Sequence, residues 1–108
     1  MIYHIATCAD WNVEGDYYES SRFAEGGFVH CSDAGQVAKI ANGMFKEAKD
    51  IILLEIDPTK LISKTVYENL SGGTELFPHV YGKINISAVT RLIEPRQSKD
   101  GVFQFPEE

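Results

Sequence analysis

Three histidines carry most of the chemistry this chain can offer. His4, His30 and His79 fall in segments of β-branched and aromatic residues, Ile2-Tyr3-His4-Ile5, Phe28-Val29-His30-Cys31-Ser32 and Phe77-Pro78-His79-Val80-Tyr81, and not in charged stretches. An imidazole so placed is either a core-edge group satisfied by a backbone carbonyl or part of a shared cleft, where it can hold or move a proton near neutral pH. Glu68 and Glu75 flank Gly72-Gly73. Either carboxylate, held close to a histidine, could act as an acid or base or reach a ligand hydroxyl, and a solvated surface position is the plainer alternative for both. Tyr81 lies two residues after His79, shares its face in an extended chain and could stack on a planar ligand. Tyr3, Trp11 and Tyr67 are core or core-rim residues by default.

Other chemistries find less support. Three histidines with Glu55, Glu68 or Glu75 would match a zinc ligand count, but no H-x-H or H-x-x-x-H pair occurs, so such a site would have to assemble from distant strands. Cys31 adjoins His30, yet strand neighbours point to opposite faces and cannot share a proton. Cys8 could still approach a histidine in space. Gly26-Gly27 and Gly72-Gly73 are isolated doublets, so no glycine-rich fingerprint for a triphosphate or dinucleotide is present.

Strands and one helix must position these groups. Residues 2–6 read as a strand with Ile2, His4 and Ala6 on one face, and Thr7 with Asp10 three positions on reads as the cap of a short helical turn. Tyr17-Tyr18 suits a brief strand. Residues 28–32 read as one strand that projects Phe28, His30 and Ser32 together, with Val29 and Cys31 on the other face. A helix is expected over about 33–46, capped by Ser32 or Asp33, with Val37, Ile40, Ala41 and Met44 at helical spacing. Ile51–Ile56 has the composition of a buried central strand, with Glu55 expected at an edge position because a carboxylate in an apolar run must be paired, protonated or exposed. Asp57-Pro58 opens a short turn. Further strands are expected over 65–68, 77–82, 84–86, 88–93 and 102–105. The sum is an α+β fold of six or seven short strands with one substantial helix.

Composition bounds the rest. The 108 residues allow one domain, with 95–108 a looser C-terminal segment, and 44% hydrophobic residues are enough to fill a core. The net charge of −6 argues against non-specific nucleic-acid binding, which rests on Lys and Arg neutralising the phosphate backbone. The longest apolar run, Ile51-Ile52-Leu53-Leu54, is far short of a membrane span. With no basic leader and two distant cysteines, the expectation is a cytoplasmic protein with both thiols reduced. No feature speaks to oligomeric state.

Four ordered segments resemble the family of small bacterial and plant proteins known as domain of unknown function 952: Ile2-Tyr3-His4-Ile5, Glu25-Gly26-Gly27-Phe28-Val29-His30-Cys31-Ser32, Leu53-Leu54-Glu55-Ile56-Asp57 and Glu75-Leu76-Phe77-Pro78-His79-Val80-Tyr81-Gly82. The family usually shows a single glycine before the second segment's phenylalanine, and here there are two. That family is similar in fold to the ADP-ribosyltransferase superfamily, which includes RNA 2′-phosphotransferases and binds NAD or an ADP-ribose-like group in the cleft of a split, mostly antiparallel β-core.

The resemblance implies that His4 holds a ribose and that His30 with Ser32 shapes the second-strand pocket. It further implies that Glu68, Glu75 or His79 stabilises the transition state. Tyr3 and Tyr81 are then binding residues, and Arg22 is the cation an anionic ligand would need. Three function classes follow: an enzyme acting on NAD, ADP-ribose or a related nucleotide by glycosyl or phosphoryl-group transfer, with NAD as substrate; a non-catalytic module binding a small nucleotide-like ligand; and a histidine-carboxylate metal enzyme. A carboxylate within hydrogen-bond reach of the histidines would separate the first from the second.

Overall fold

β-branched and apolar residues at alternating positions fold here into two antiparallel sheets that share one core. The computed structural model describes residues 1–11, 15–19, 27–44, 50–69, 72–94, 96–97 and 103–104. Strand β1 (Ile2–Thr7) leads into the single turn α1 (Cys8–Trp11), capped by Thr7, whose Oγ1 accepts from the Asp10 amide at 3.0 Å. Then come β2 (Tyr17–Tyr18), β3 (Val29–His30), β4 (Ser32–Asp33), the main helix α2 (Ala34–Met44) and β5 (Ile51–Ile56). The chain continues through β6 (Lys64–Glu68), β7 (Phe77–Tyr81), β8 (Ile84–Asn85), β9 (Val89–Ile93), β10 (Arg96–Gln97) and β11 (Phe103–Gln104), with 3₁₀ turns at Pro58–Lys60 and Ile86–Ala88.

The larger sheet has the order β4-β1-β5-β9 and the smaller one β3-β7-β6, every pairing being antiparallel; β2-β8 and β10-β11 are two-stranded ribbons. Ile2 and Ala6 of β1 and Leu54 and Ile56 of β5 pack against Val29 and Val80 of the smaller sheet, closed off by Tyr18 and Ile84. On the other face, Tyr3, Leu53 and Ile93 pack against Val37 of α2. The period-two alternation of β1 therefore feeds both layers, and His4 faces the core between the sheets.

Most expected elements are present, with three differences. The segment 28–32 is two strands, because the chain changes sheets at Cys31: the Cys31 amide donates to the Pro78 carbonyl of β7 at 3.0 Å, while Ser32 pairs with Tyr3 of β1. His30 and Ser32 consequently belong to different sheets and do not project together. Glu55 is not at an edge; β5 lies between β1 and β9, and the carboxylate is buried because it is paired. The helix is described over 34–44, with Gln36 Oε1 reaching back to accept from the Asp33 amide at 2.9 Å, and positions 45–46 of the expected span lie outside the described residues. Of the segment 95–108, the described residues are the β10-β11 ribbon.

No helix among the described residues is long and apolar enough to cross a membrane.

Candidate functional site

The site is built on one face of the smaller sheet. The antiparallel register sets His30 of β3 directly opposite His79 of β7, and cross-strand partners share a face. Their rings meet edge to face with centroids 5.0 Å apart. On the far side of β7, Glu68 at the end of β6 reaches back so that His79 Nδ1 and Glu68 Oε1 are 2.9 Å apart. The Tyr81 hydroxyl, two residues along the same face, donates to the same oxygen. Phe28 lies over His79 in a stacked arrangement at 4.4 Å and touches His30 and Tyr81 at 4.7 and 5.4 Å. Lys64, opposite Tyr81 in the register, adds a positive charge to this face.

The electrostatics assign the protons. Hydrogen bonds from Tyr81 and then from His79 hold the Glu68 carboxyl below its usual range, so it is ionised at neutral pH; the same contact pushes the Tyr81 hydroxyl up, keeping it a donor. With an ionised acceptor on that side, His79 Nδ1 must carry a proton. The other ring nitrogen, Nε2, takes no partner among the described residues. The His79 side chain as a whole is buried, 4% exposed, and no buried side-chain nitrogen or oxygen among the described residues lacks a hydrogen bond. A buried, carboxylate-anchored imidazole beside the exposed imidazole of His30 is an arrangement that can accept a proton at one ring and deliver one from the other.

His4 is placed behind this face. Its Nδ1 lies 2.7 Å from the His30 carbonyl oxygen and its Nε2 lies 2.8 Å from the Tyr18 hydroxyl. Burial pushes its pKa down to about 4, so the ring is neutral, donating from Nδ1 to the carbonyl and accepting from Tyr18 at Nε2. The backbone of His30 is thus tied to β1 through an imidazole that is itself fixed by Tyr18.

The other expected site residues fall elsewhere. Tyr3 points to the opposite face of β1 and donates to Glu55 Oε2 at 3.3 Å, where Thr90 and Arg91 also bind that carboxylate at 2.8 and 2.7 Å. Ser32 is buried in the larger sheet. Glu75 is exposed and holds Lys39, with its Oε2 also accepting from Gln36 at 3.3 Å, so Glu68 and not Glu75 meets a histidine. Arg22 lies outside the described residues. Cys8 and Cys31 are both free thiols, and burial pushes Cys31 well above the usual thiol range. Among the described residues, no three His, Cys, Asp or Glu side chains converge to hold a metal ion.

Two contributors were not singled out from sequence. Strand alternation places Phe28 on the His30 face, and that alternation is the available signal for its ring covering His79. Tyr18 gave only a brief-strand signal, and its bond to His4 depends on a long-range packing that no local pattern encodes.

Residues 2–92 match the family described as protein of unknown function, DUF952, and the chain belongs to that family. It is also similar to solved structures of CC0527 from Caulobacter crescentus. The crystal structure is 30% identical with a TM-score of 0.83, covering 95% of this chain and 92% of that one. A crystal structure of a double mutant is 29% identical over the same shares with a TM-score of 0.82. The solution structure is 30% identical with a TM-score of 0.75, covering 95% and 90%. No curated protein matches the chain.

Proposed function

We propose that this protein is an enzyme acting on NAD, ADP-ribose or a related nucleotide by glycosyl or phosphoryl-group transfer at the His30–His79 face. The observation that carries this reading is the 2.9 Å contact between His79 and the ionised Glu68, beside a second imidazole. A module that only recognises a ligand has no need of a carboxylate that fixes which ring nitrogen bears the proton; a proton-transfer catalyst does. The two antiparallel sheets packed over a shared core support the comparison with the split β-core of ADP-ribosyltransferases.

In this reading His79 is the proton-transferring group, Glu68 and Tyr81 position it, and His30 is the second acid or base. Tyr81, which is exposed, offers ring surface to a planar ligand, with Phe28 packed beneath it. His4 acts through the backbone of His30 as a positioning residue.

Calorimetric titration with NAD, ADP-ribose and AMP, comparing the parent with His30→Ala, tests the proposal. Saturable binding of one ligand, weakened in the variant, is the expected result, followed by turnover of that ligand. Absence of heat from all three with both proteins folded overturns it, and saturable binding with no turnover returns the site to the binding-module reading.

A further inference from the structure

The smaller sheet has the order β3-β7-β6, so β6 has β7 on one side and, among the described residues, no strand on the other. Which of its backbone groups are left over follows from Pro78. That residue stands opposite Tyr67 in the register, has no N–H, and turns its carbonyl toward the Cys31 amide, away from β6. Tyr67, and by alternation Thr65, therefore direct their N–H and C=O groups to the open edge, while Lys64, Val66 and Glu68 bond to β7. An edge of this kind is a template for pairing with another strand. The side chains of β6 decide which strand fits. Lys64 and Glu68 stand at its two ends and on the same face. Lys64 is exposed and makes no ion pair or hydrogen bond with the described residues. Glu68 binds His79 and Tyr81 through Oε1, and its Oε2 has no partner among the described residues.

We propose that β6 pairs with the β6 of a second copy of this chain, antiparallel and centred on Val66, so that each copy contributes Lys64 to the other's site. A two-fold axis at Val66 sets Thr65 opposite the partner's Tyr67 and Tyr67 opposite the partner's Thr65, and these are the residues whose backbone groups face outward. Each such pair exchanges both of its backbone hydrogen bonds. The same register sets Lys64 opposite the partner's Glu68 at either end, where the ammonium meets the carboxylate oxygen that His79 and Tyr81 leave open. A slip of one residue would set outward-turned groups against inward-turned ones, a slip of two would part the charges, and a parallel arrangement would place like charges side by side. The exposed Tyr67 ring gains cover from the partner's Thr65. The smaller sheets of the two copies become one continuous sheet, and the two His30–His79 faces lie on the same side of it.

Sedimentation equilibrium over a concentration series, combined with amide hydrogen exchange of the parent, tests the pairing. The mass should rise from that of one chain to that of two, and the Thr65 and Tyr67 amides should become protected in step with it. Lys64→Glu should raise the dissociation constant about 10-fold, and Glu68→Lys should do the same. An equimolar mixture of those two variants should dimerise as the parent does, because the mixed pair has opposite charges at both ends. Thr65→Pro removes an outward N–H that a single copy does not use, so it should keep its circular dichroism and remain a single chain. The exchange measurement and Thr65→Pro decide the matter even where Glu68→Lys fails to fold. A mass that stays that of one chain throughout overturns the proposal. So does a dimer whose Thr65 and Tyr67 amides exchange as fast as in the single chain, a folded Thr65→Pro variant that still dimerises, or a mixture of the folded charge variants that associates no better than either alone. Each of these results is independent of whether NAD, ADP-ribose or AMP binds, so failure here leaves the proposed activity standing.

Discussion

A neutral histidine buried between two sheets makes this protein sensitive to acid. His4 has a pKa of about 4 in the folded chain against an ordinary 6.5, because burial disfavours its charged form. The unfolded chain therefore binds the proton more readily, and the stabilisation is fully present above pH 6.5 and is lost as pH falls toward 4. Over that window the loss is about 3 kcal/mol. Urea unfolding of the parent and His4→Leu at a series of pH values should show a steeper fall for the parent; parallel curves would contradict the assignment. Glu68 gives a second prediction at this scale. Tyr81 is the main donor holding its carboxyl down, so Tyr81→Phe should move its titration upward, read from the side-chain carboxyl carbon shift against pH. An unmoved midpoint would mean that the hydroxyl does not bind there.

The elements are joined by a few polar contacts whose removal has computable direction. Burial pushes the Glu55 carboxyl up, but hydrogen bonds from Thr90 and Arg91 outweigh it and leave the pKa lowered, so the pairing of β5 with β9 is strongest when Glu55 is ionised. Arg91→Ala should cost about 1–3 kcal/mol near neutral pH by leaving a buried carboxylate short of a donor. The gap to the parent should narrow as pH falls below the ordinary carboxyl value of 4.5, which denaturation at pH 7 and pH 3.5 checks. Gly82, between β7 and β8, has φ +149°, and a Cβ there would collide with Ser63, whose hydroxyl donates to the Lys83 carbonyl at 2.7 Å. Gly82→Ala should destabilise by about 1–3 kcal/mol, measured as a drop in the urea midpoint. These elements were legible in the sequence where the pattern was local. Alternation in 2–6 gave the two faces of β1, and the Thr7 and Asp57 caps were visible as residue types. The break at Cys31 was not legible, since Phe28 to Ser32 has unbroken strand composition and only the competition between β7 and β1 for its backbone divides it. The buried pairing of Glu55 is hidden from local pattern for a related reason: its partner Arg91 is 36 residues away.

For the whole molecule, one core between two antiparallel sheets fixes how the site is assembled from segments far apart in the chain. β3 brings His30, β7 brings His79 and Tyr81, β6 brings Glu68, and β1 secures the arrangement from behind with His4. The apolar settings of the three histidines point to a shared cleft, whereas in the structure only His30 and His79 meet on one face and His4 lies behind it in the core; that Glu68 is the carboxylate beside His79 depends on the β6-β7 register, which local composition does not specify. The net charge of −6 also acts at this scale, leaving an anionic ligand to be met by local groups and not by the overall field. The most direct test of the account is a proton–nitrogen correlation spectrum of the histidine rings recorded with and without ADP-ribose. The account predicts His79 and His4 each protonated at Nδ1, with ADP-ribose shifting the ring signals of His30 and His79. Saturable binding that leaves both of those rings unmoved would place the ligand elsewhere and contradict it.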